Sequence, residues 1–311
     1  MTKQDGEQMI DLSEYSQAQR ERLVYIDFRL YFTGTASRTD LMDRFGVGAA
    51  AATRDFAQYR EIAPNNTELD TVTKHYVMRE TFSPVVTHSP ERVLTALSHG
   101  YGYGLDGEKP FILNESVTLL SKPKVEVLAP ISRAISLNQV VKISYTSGSG
   151  KSEREIVPFA ISCDGLRWHV RAYDRKREKF ADFVLARIGS AQVQQGEQPL
   201  TNENKKNDDQ WNRMLDLPLV PHPDKDCAQI IMCDFDMPDG VLRLRVRAAM
   251  AGYVLQQYHV DCSPDHSIED KAYRLWLSDP LALYGVESSM FAPRYRAPNF
   301  DEMERYKAEK K

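Results

Sequence analysis

The chain has 311 residues, 42% hydrophobic and 27% charged, with a net charge of −4. This is an ordinary soluble globular composition with material for two or three domains. No run of about 18 apolar residues marks a membrane helix, and the polar, acidic stretch MTKQDGEQMIDLSEYS has no apolar h-region, so a signal peptide is not expected.

Cys163, Cys227, Cys233 and Cys262 form no CxxC pair, so neither a zinc site nor a disulfide framework is expected, and no cofactor is implied. Reduced thiols make a cytoplasmic location the expectation. Charge is spread unevenly. Residues 132–190 carry 11 Lys/Arg against 6 Asp/Glu, while residues 1–94 and 201–311 are mildly acidic. A basic middle third indicates either an anionic partner or a solvated basic surface.

In chain order, QAQRERLVYIDFRLYF (17–32) has apolar residues at spacings of 3 and 4, which predicts a helix stopped by Gly34. Ser37 caps a second helix, RTDLMDRF, with Asp40 as the capping-box acid. Gly46-Val47-Gly48 makes a turn, and AAAATRDFAQYREI is a third helix ending before Pro64. NNTELDTVTKHYVMRET then reads as a two-stranded hairpin. This order is that of a winged helix-turn-helix, spanning 1–90.

Val47, Ala52, Phe56 and Tyr59 point to a core, leaving Ala49, Ala50, Thr53, Arg54 and Gln58 on the outer face. These five, with Ser37, Arg38 and Thr39 at the second helix and Lys74, His75 and Tyr76 on the wing, are the candidate DNA contacts. Segment 34–79 has six basic and six acidic residues, so a helical domain for protein contacts stays open.

Residues 91–139 read as a helical connector. Ser89 and Pro90 start one helix, and APISRAISLNQ (129–139) is another. The Gly-rich YGYGLDGEKP lacks the Gly-Lys-Ser/Thr of a phosphate-binding loop. From 140 to 200 the pattern changes to short strands: VVKISYTS, SEREIVPFAIS with Pro158 at a bend or edge, LRWHVRAYD, and FADFVLARI. Short strands joined by Gly or charged turns suggest a small β-barrel. Residues 201–226 are polar and Pro-rich and contain a linker; 227–292 read as a small α+β domain, with a strand at Val241–Val246, a following helix and a strand in AYRLWLSD. The tail 293–311 ends in the highly charged DEMERYKAEKK.

The stretch GLRWHVRAYD followed by FADFVLARI resembles the signature of WYL-domain proteins, with Trp168-His169-Val170 at the triplet, a departure at two positions. With RDFAQYREIAPNN and KHYV before it, the chain is similar to the BrxR/CapW-type repressors of phage-defence islands over almost its whole length. The resemblance implies an α+β multidomain fold: a winged helix-turn-helix, a central Sm/SH3-like β-barrel (the WYL domain) and a small α+β dimerisation domain. It also implies a homodimeric repressor that binds a double-stranded inverted-repeat operator, controls a phage-defence operon, and responds to an anionic effector, a nucleotide or nucleic-acid fragment.

Alternation on the signature strand puts Trp168, Val170 and Ala172 on one face and Arg167, His169 and Arg171 on the other. Side-by-side cations become favourable when an anion neutralises them. The candidate effector residues are therefore His169 and Arg171, with Arg187 from the next strand and Tyr145 and Ser147 from the first. Salt bridges to Asp164, Asp174 or Asp182 are the competing use of these arginines.

Two further classes remain. A single-strand or RNA-binding module would stack bases on Tyr145, Tyr173 and Phe183 beside the basic residues; a WYL-type activator would differ only in the sign of regulation. An enzyme is not expected. Ser144 and Ser147 lack a nucleophile-elbow context, no HExxH occurs, and Asp208-Asp209 lie in the linker.

Overall fold

The computed structural model describes residues 12–99, 120–225 and 228–299. The chain divides into two units, Met1–Ser162 with Trp168–Leu200, and Cys163–Arg167 with Thr201–Lys311.

The first unit begins with α1 (Gln17–Thr33), which starts in a Ser16/Gln19 capping box and stops at Gly34. After the short β1 (Thr35–Ala36) comes α2 (Arg38–Phe45), held at its start by the expected reciprocal bonds of Ser37 and Asp40. It ends at Gly46, whose φ of 65° is the left-handed conformation that glycine adopts without cost. α3 (Ala49–Ile62) follows. β2 (Thr67–Leu69) and β3 (Tyr76–Met78) form the wing hairpin. The wing is three-stranded, in the order β1-β3-β2, because Thr35 and Ala36 pair with Val77 and Tyr76. A two-residue strand has too little alternation to be read from sequence. The core of this part joins Leu23, Ile26 and Leu30 to Leu41, Ala52, Phe56 and Tyr59.

α4 (Pro90–His99) starts at the expected proline; YGYGLDGEKP lies outside the described residues. α5 (Val125–Leu137) begins four residues before the expected start and carries Pro130 inside it. The proline removes a helix hydrogen bond, and burial of Val127, Leu128, Ile131 and Ala134 offsets that loss.

Five strands follow: β4 (Val141–Ser147), β5 (Gly150–Cys163), β6 (Trp168–Asp174), β7 (Lys179–Val184) and β8 (Ile188–Val193), in the order β7-β6-β5-β4-β8. FADFVLARI is thus not one strand: a 3-10 turn, Leu185–Arg187, separates β7 from β8. Among the described residues β7 and β8 are sheet edges that do not pair, so the sheet is open where a closed barrel was expected. It is nevertheless strongly curled. In a flat sheet β4 and β7 would lie about 14 Å apart, yet Val184 N donates to Tyr145 Oη at 3.3 Å. Val170 and Ala172 point into the enclosed core, with Trp168 packed against it.

The second unit contains α6 (Asp209–Asn212), β9 (Met214–Pro221), α7 (Ala228–Asp234), β10 (Leu242–Arg247), α8 (Ala248–Gln257), β11 (Val260–Asp261) and β12 (Leu275–Leu277). Its sheet order is β10-β9-β12-β11. β9 is an interior strand that occupies Met214–Pro221, inside the stretch 201–226 expected to contain a linker. Leu215, Leu217 and Leu219 alternate into the core, but Pro218 and the polar flanks hide that alternation. The tail is described only to residue 299.

Asp261 in this unit is fully buried and accepts from Ser263 N (2.8 Å), Ser263 Oγ (2.7 Å) and Ile268 N (2.9 Å), with His222 Nε2 at 3.2 Å. Burial pushes its pKa up, but the bonds from Ser263, Ile268 and His222 outweigh this and hold it below the usual carboxylate value. A carboxylate depressed in the folded state stabilises above its unfolded pKa of about 3.9, and that stability is lost as pH falls through the folded value. The unit is therefore expected to lose urea resistance below about pH 4. Asp261→Ala is expected to cost about 2–4 kcal/mol at pH 7 and to flatten the acid limb; equal urea midpoints for the two proteins at pH 7 and pH 3 would contradict this.

Candidate nucleic-acid interface and effector site

α3 is fastened to α1 on its inner side. Arg22 grips Asp55 through Nε–Oδ2 at 2.7 Å and Nη2–Oδ1 at 3.1 Å. These residues are 33 apart in sequence, and nothing local announces the pair. With Asp55, Ala52, Phe56 and Tyr59 buried, the opposite side presents Ala49, Ala50, Thr53 and Arg54 to solvent, and Gln58 is half-buried. Thr53 Oγ1 donates to Ala49 O at 2.8 Å, and exposed Arg38 Nη1 donates to Thr53 Oγ1 at 3.5 Å. Arg38, Thr53 and Arg54 thus lie together where small alanines leave the helix start open; Thr39 is exposed beside them.

Ser37 is buried and its hydroxyl is committed to the capping box, so its role is to begin α2. On the wing, Lys74 and His75 are exposed. Lys74 has φ 63°, and His75 Nδ1 lies 3.0 Å from Thr73 O. Tyr76 is half-buried and stacks on Phe56 with centroids 4.0 Å apart and planes 6° from parallel. Its ring works in the core.

The effector candidates do not share one environment. His169 and Arg171 are buried on β6. Arg171 stands opposite Asp182 in register, and Nη1 meets Oδ2 at 3.2 Å. Arg154, which no sequence pattern singles out, meets the fully buried Asp174 at 2.6 Å. In the second unit Arg167 Nη2 lies 3.3 Å from Asp164 Oδ2. The carboxylates named as competitors are thus all occupied by arginines.

Tyr145 is buried, its ring edge-on to Phe183 at 5.1 Å, and Tyr173 meets Phe180 likewise at 5.1 Å. Tyr145, Tyr173 and Phe183 are therefore core residues and offer no platform for stacking unpaired bases. Ser147 is half-buried, with its hydroxyl bonded to Ser149 Oγ and Gly150 O. Arg187 sits on the 3-10 turn three residues beyond Val184, the register partner of His169; it is exposed and forms no ion pair among the described residues.

No described helix is long and apolar enough to cross a membrane, and no group of three or more His, Cys, Asp or Glu among the described residues could hold a metal ion.

Three family models match this chain. Residues 18–98 match the winged helix-turn-helix domain of the BrxR transcriptional regulator, 126–193 the WYL domain, and 214–283 the BrxR C-terminal dimerization domain. Curated relatives are named DNA-binding transcriptional repressor CapW. The protein from Escherichia coli strain KTE188 is 32% identical over 280 residues, covering 86% of this chain and 91% of that protein. The one from Pseudomonas aeruginosa is 32% identical over 256 residues, covering 78% and 83%. The one from Stenotrophomonas maltophilia is 30% identical over 253 residues, covering 78% and 84%. With every domain matched in order and identity held across most of its length, the chain belongs to the BrxR/CapW family of WYL-domain transcriptional regulators.

Proposed function

We propose that the chain is a sequence-specific DNA-binding transcriptional repressor that acts as a homodimer on an inverted-repeat operator. The carrying observation is the free start of α3, with Ala49, Ala50, Thr53 and Arg54 exposed on a helix whose other side is locked to α1. Small residues allow close approach to the major groove, Arg54 reaches base edges or phosphate, and Arg38, Lys74 and His75 flank it for backbone contacts. Two such helices in a dimer meet half-sites about 10 bp apart or a multiple of that. The domain matched to the C-terminal dimerization model supplies the pairing, and the cytoplasm is the compartment that fits.

The curled sheet is read as an open Sm/SH3-like barrel, since its two edge strands, β7 and β8, are consecutive in sequence and flank the gap a closure would fill. An anionic effector, nucleotide or nucleic-acid-like, would meet exposed Arg187 first and then compete with Asp182 for Arg171. It shifts operator affinity only by binding one domain arrangement better than the other. Control of a phage-defence operon is the role this reading assigns.

Titration of an inverted-repeat duplex from the protein's own promoter against a scrambled duplex tests the reading. Specific, salt-sensitive binding is expected. Arg54→Ala should weaken it by about 1–3 kcal/mol, roughly fivefold to 150-fold. Arg187→Ala should leave basal binding intact and reduce the response to a short added oligonucleotide. Equal affinity for both duplexes would remove the proposal.

A further inference from the structure

A cavity of about 780 Å3 lies within the first unit, walled by the end of α1, the wing after β3, α5 and β8. None of the candidate residues above lines it. From α5 it is lined by Glu126, Pro130 and Arg133, and from the other walls by Tyr31, Glu80 and Gln192.

Arg133 accounts for part of its own presence. Nη1 donates to Tyr31 O at 2.6 Å and the guanidinium sits 5.7 Å from the Tyr31 ring centroid. A cation there caps the negative end of α1. That use takes one of five N–H donors, and among the described residues no carboxylate pairs with Arg133. Burial also lowers its pKa, the mark of a cation short of solvent.

Pro130 adds an independent feature. It has no N–H, so it cannot supply the carbonyl of Glu126, four residues before it, with the usual helical hydrogen bond, and both residues line the same cavity. Spare guanidinium donors and a residue whose carbonyl lacks its usual helical donor therefore border one space of ligand size. Glu80, held by Gln195 Nε2 at 2.5 Å, and Glu126 also border it, which disfavours a polyanion.

We propose that this cavity binds a small molecule with one negative charge, a carboxylate or a phosphate ester, that also carries N–H donors. Its anionic group meets Arg133 and its donors meet the Glu126 carbonyl. The occupant touches the wing, α5 and the β8 edge of the curled sheet at once. The site is separate from Arg187 and Arg171, and its test does not depend on DNA.

Saturation-transfer NMR on the full chain uses two matched pairs: N-acetylglutamine against N-acetylglutamine amide, and uridine 2′,3′-cyclic phosphate against uridine. At least one anion is expected to bind and its neutral partner not. Binding by only one anion identifies the carboxylate or the phosphate source. Arg133→Met should weaken binding about tenfold. Gln192→Trp, an exposed strand position that fills the cavity without touching the α1 cap, should do the same with the ligand-free melting temperature unchanged. Arg187→Ala should leave binding intact. The site is overturned if neither anion binds, if a neutral partner binds equally, if Gln192→Trp still binds, or if Arg187→Ala abolishes binding.

Discussion

Gly252→Ala is expected to destabilise the second unit by about 3 kcal/mol or more, although alanine is the better helix former by about 1 kcal/mol. Gly252 lies inside α8 among buried Ala248, Ala249 and Ala251. A Cβ there would stand 1.7 Å from Ser288 O and 2.5 Å from Ser288 C. Those are backbone atoms, which no rotamer change can move aside. The approach is close because the Ser288 hydroxyl is wedged beside the helix: it donates to Ala248 O at 2.6 Å and accepts from Gly252 N at 3.0 Å. Tyr253 stacks on Phe291 at 4.6 Å in the same contact. Urea unfolding should show the loss directly, and sedimentation should show weakened self-association. Ser288→Ala should cost only about 1–2 kcal/mol, since it removes the hydroxyl without a clash. A Gly252→Ala protein as stable as the parent would show that the segment Glu287–Phe291 yields freely.

Asp27→Ala should remove about 3–5 kcal/mol from the winged helix-turn-helix part and abolish operator binding with it. Asp27 is fully buried in α1. Its carboxylate accepts from Tyr59 Oη at 2.6 Å and Val85 N at 3.1 Å, with His88 Nε2 at 3.0 Å. Tyr59 in turn accepts from Asn66 Nδ2 at 3.0 Å, and Asn66 also bonds Ser83 O at 2.7 Å. Burial, reinforced by the adjacent Asp27, pushes the Tyr59 phenol well above its ordinary pKa, so it remains a donor. Alanine leaves the hydroxyl and an amide buried without their acceptor, and α3 loses a second tie to α1 besides Arg22–Asp55. Asp27→Asn, which keeps an acceptor oxygen, should cost less. Melting curves and duplex titration on the same samples would separate the two effects; an unchanged melting temperature for Asp27→Ala would mean the network contributes nothing.

Local chemistry was legible in the chain. Ser37 with Asp40, Gly34 and Gly46 marked helix ends because capping needs only neighbours a few residues away. The exposed side of α3 followed from its apolar spacing, and the alternation of VVKISYTS and LRWHVRAYD from the pleat. Asp27 was not legible, since its partners Tyr59, Val85 and His88 lie 32 to 61 residues away. Nor was β9, whose leucines alternate across a proline in a polar setting.

The amino-acid order alone determined the succession of helix-turn-helix, wing, short strands and α+β domain, and the basic character of the middle third. Only the folded chain decided what those basic residues do. Arg171 meets Asp182 because strand register brings them opposite, Arg154 reaches Asp174, and Arg187 falls on a turn and remains exposed. Register and sheet curl come from the packing of distant segments. A charge pattern records which groups must be neutralised, while their partners are chosen by tertiary contact.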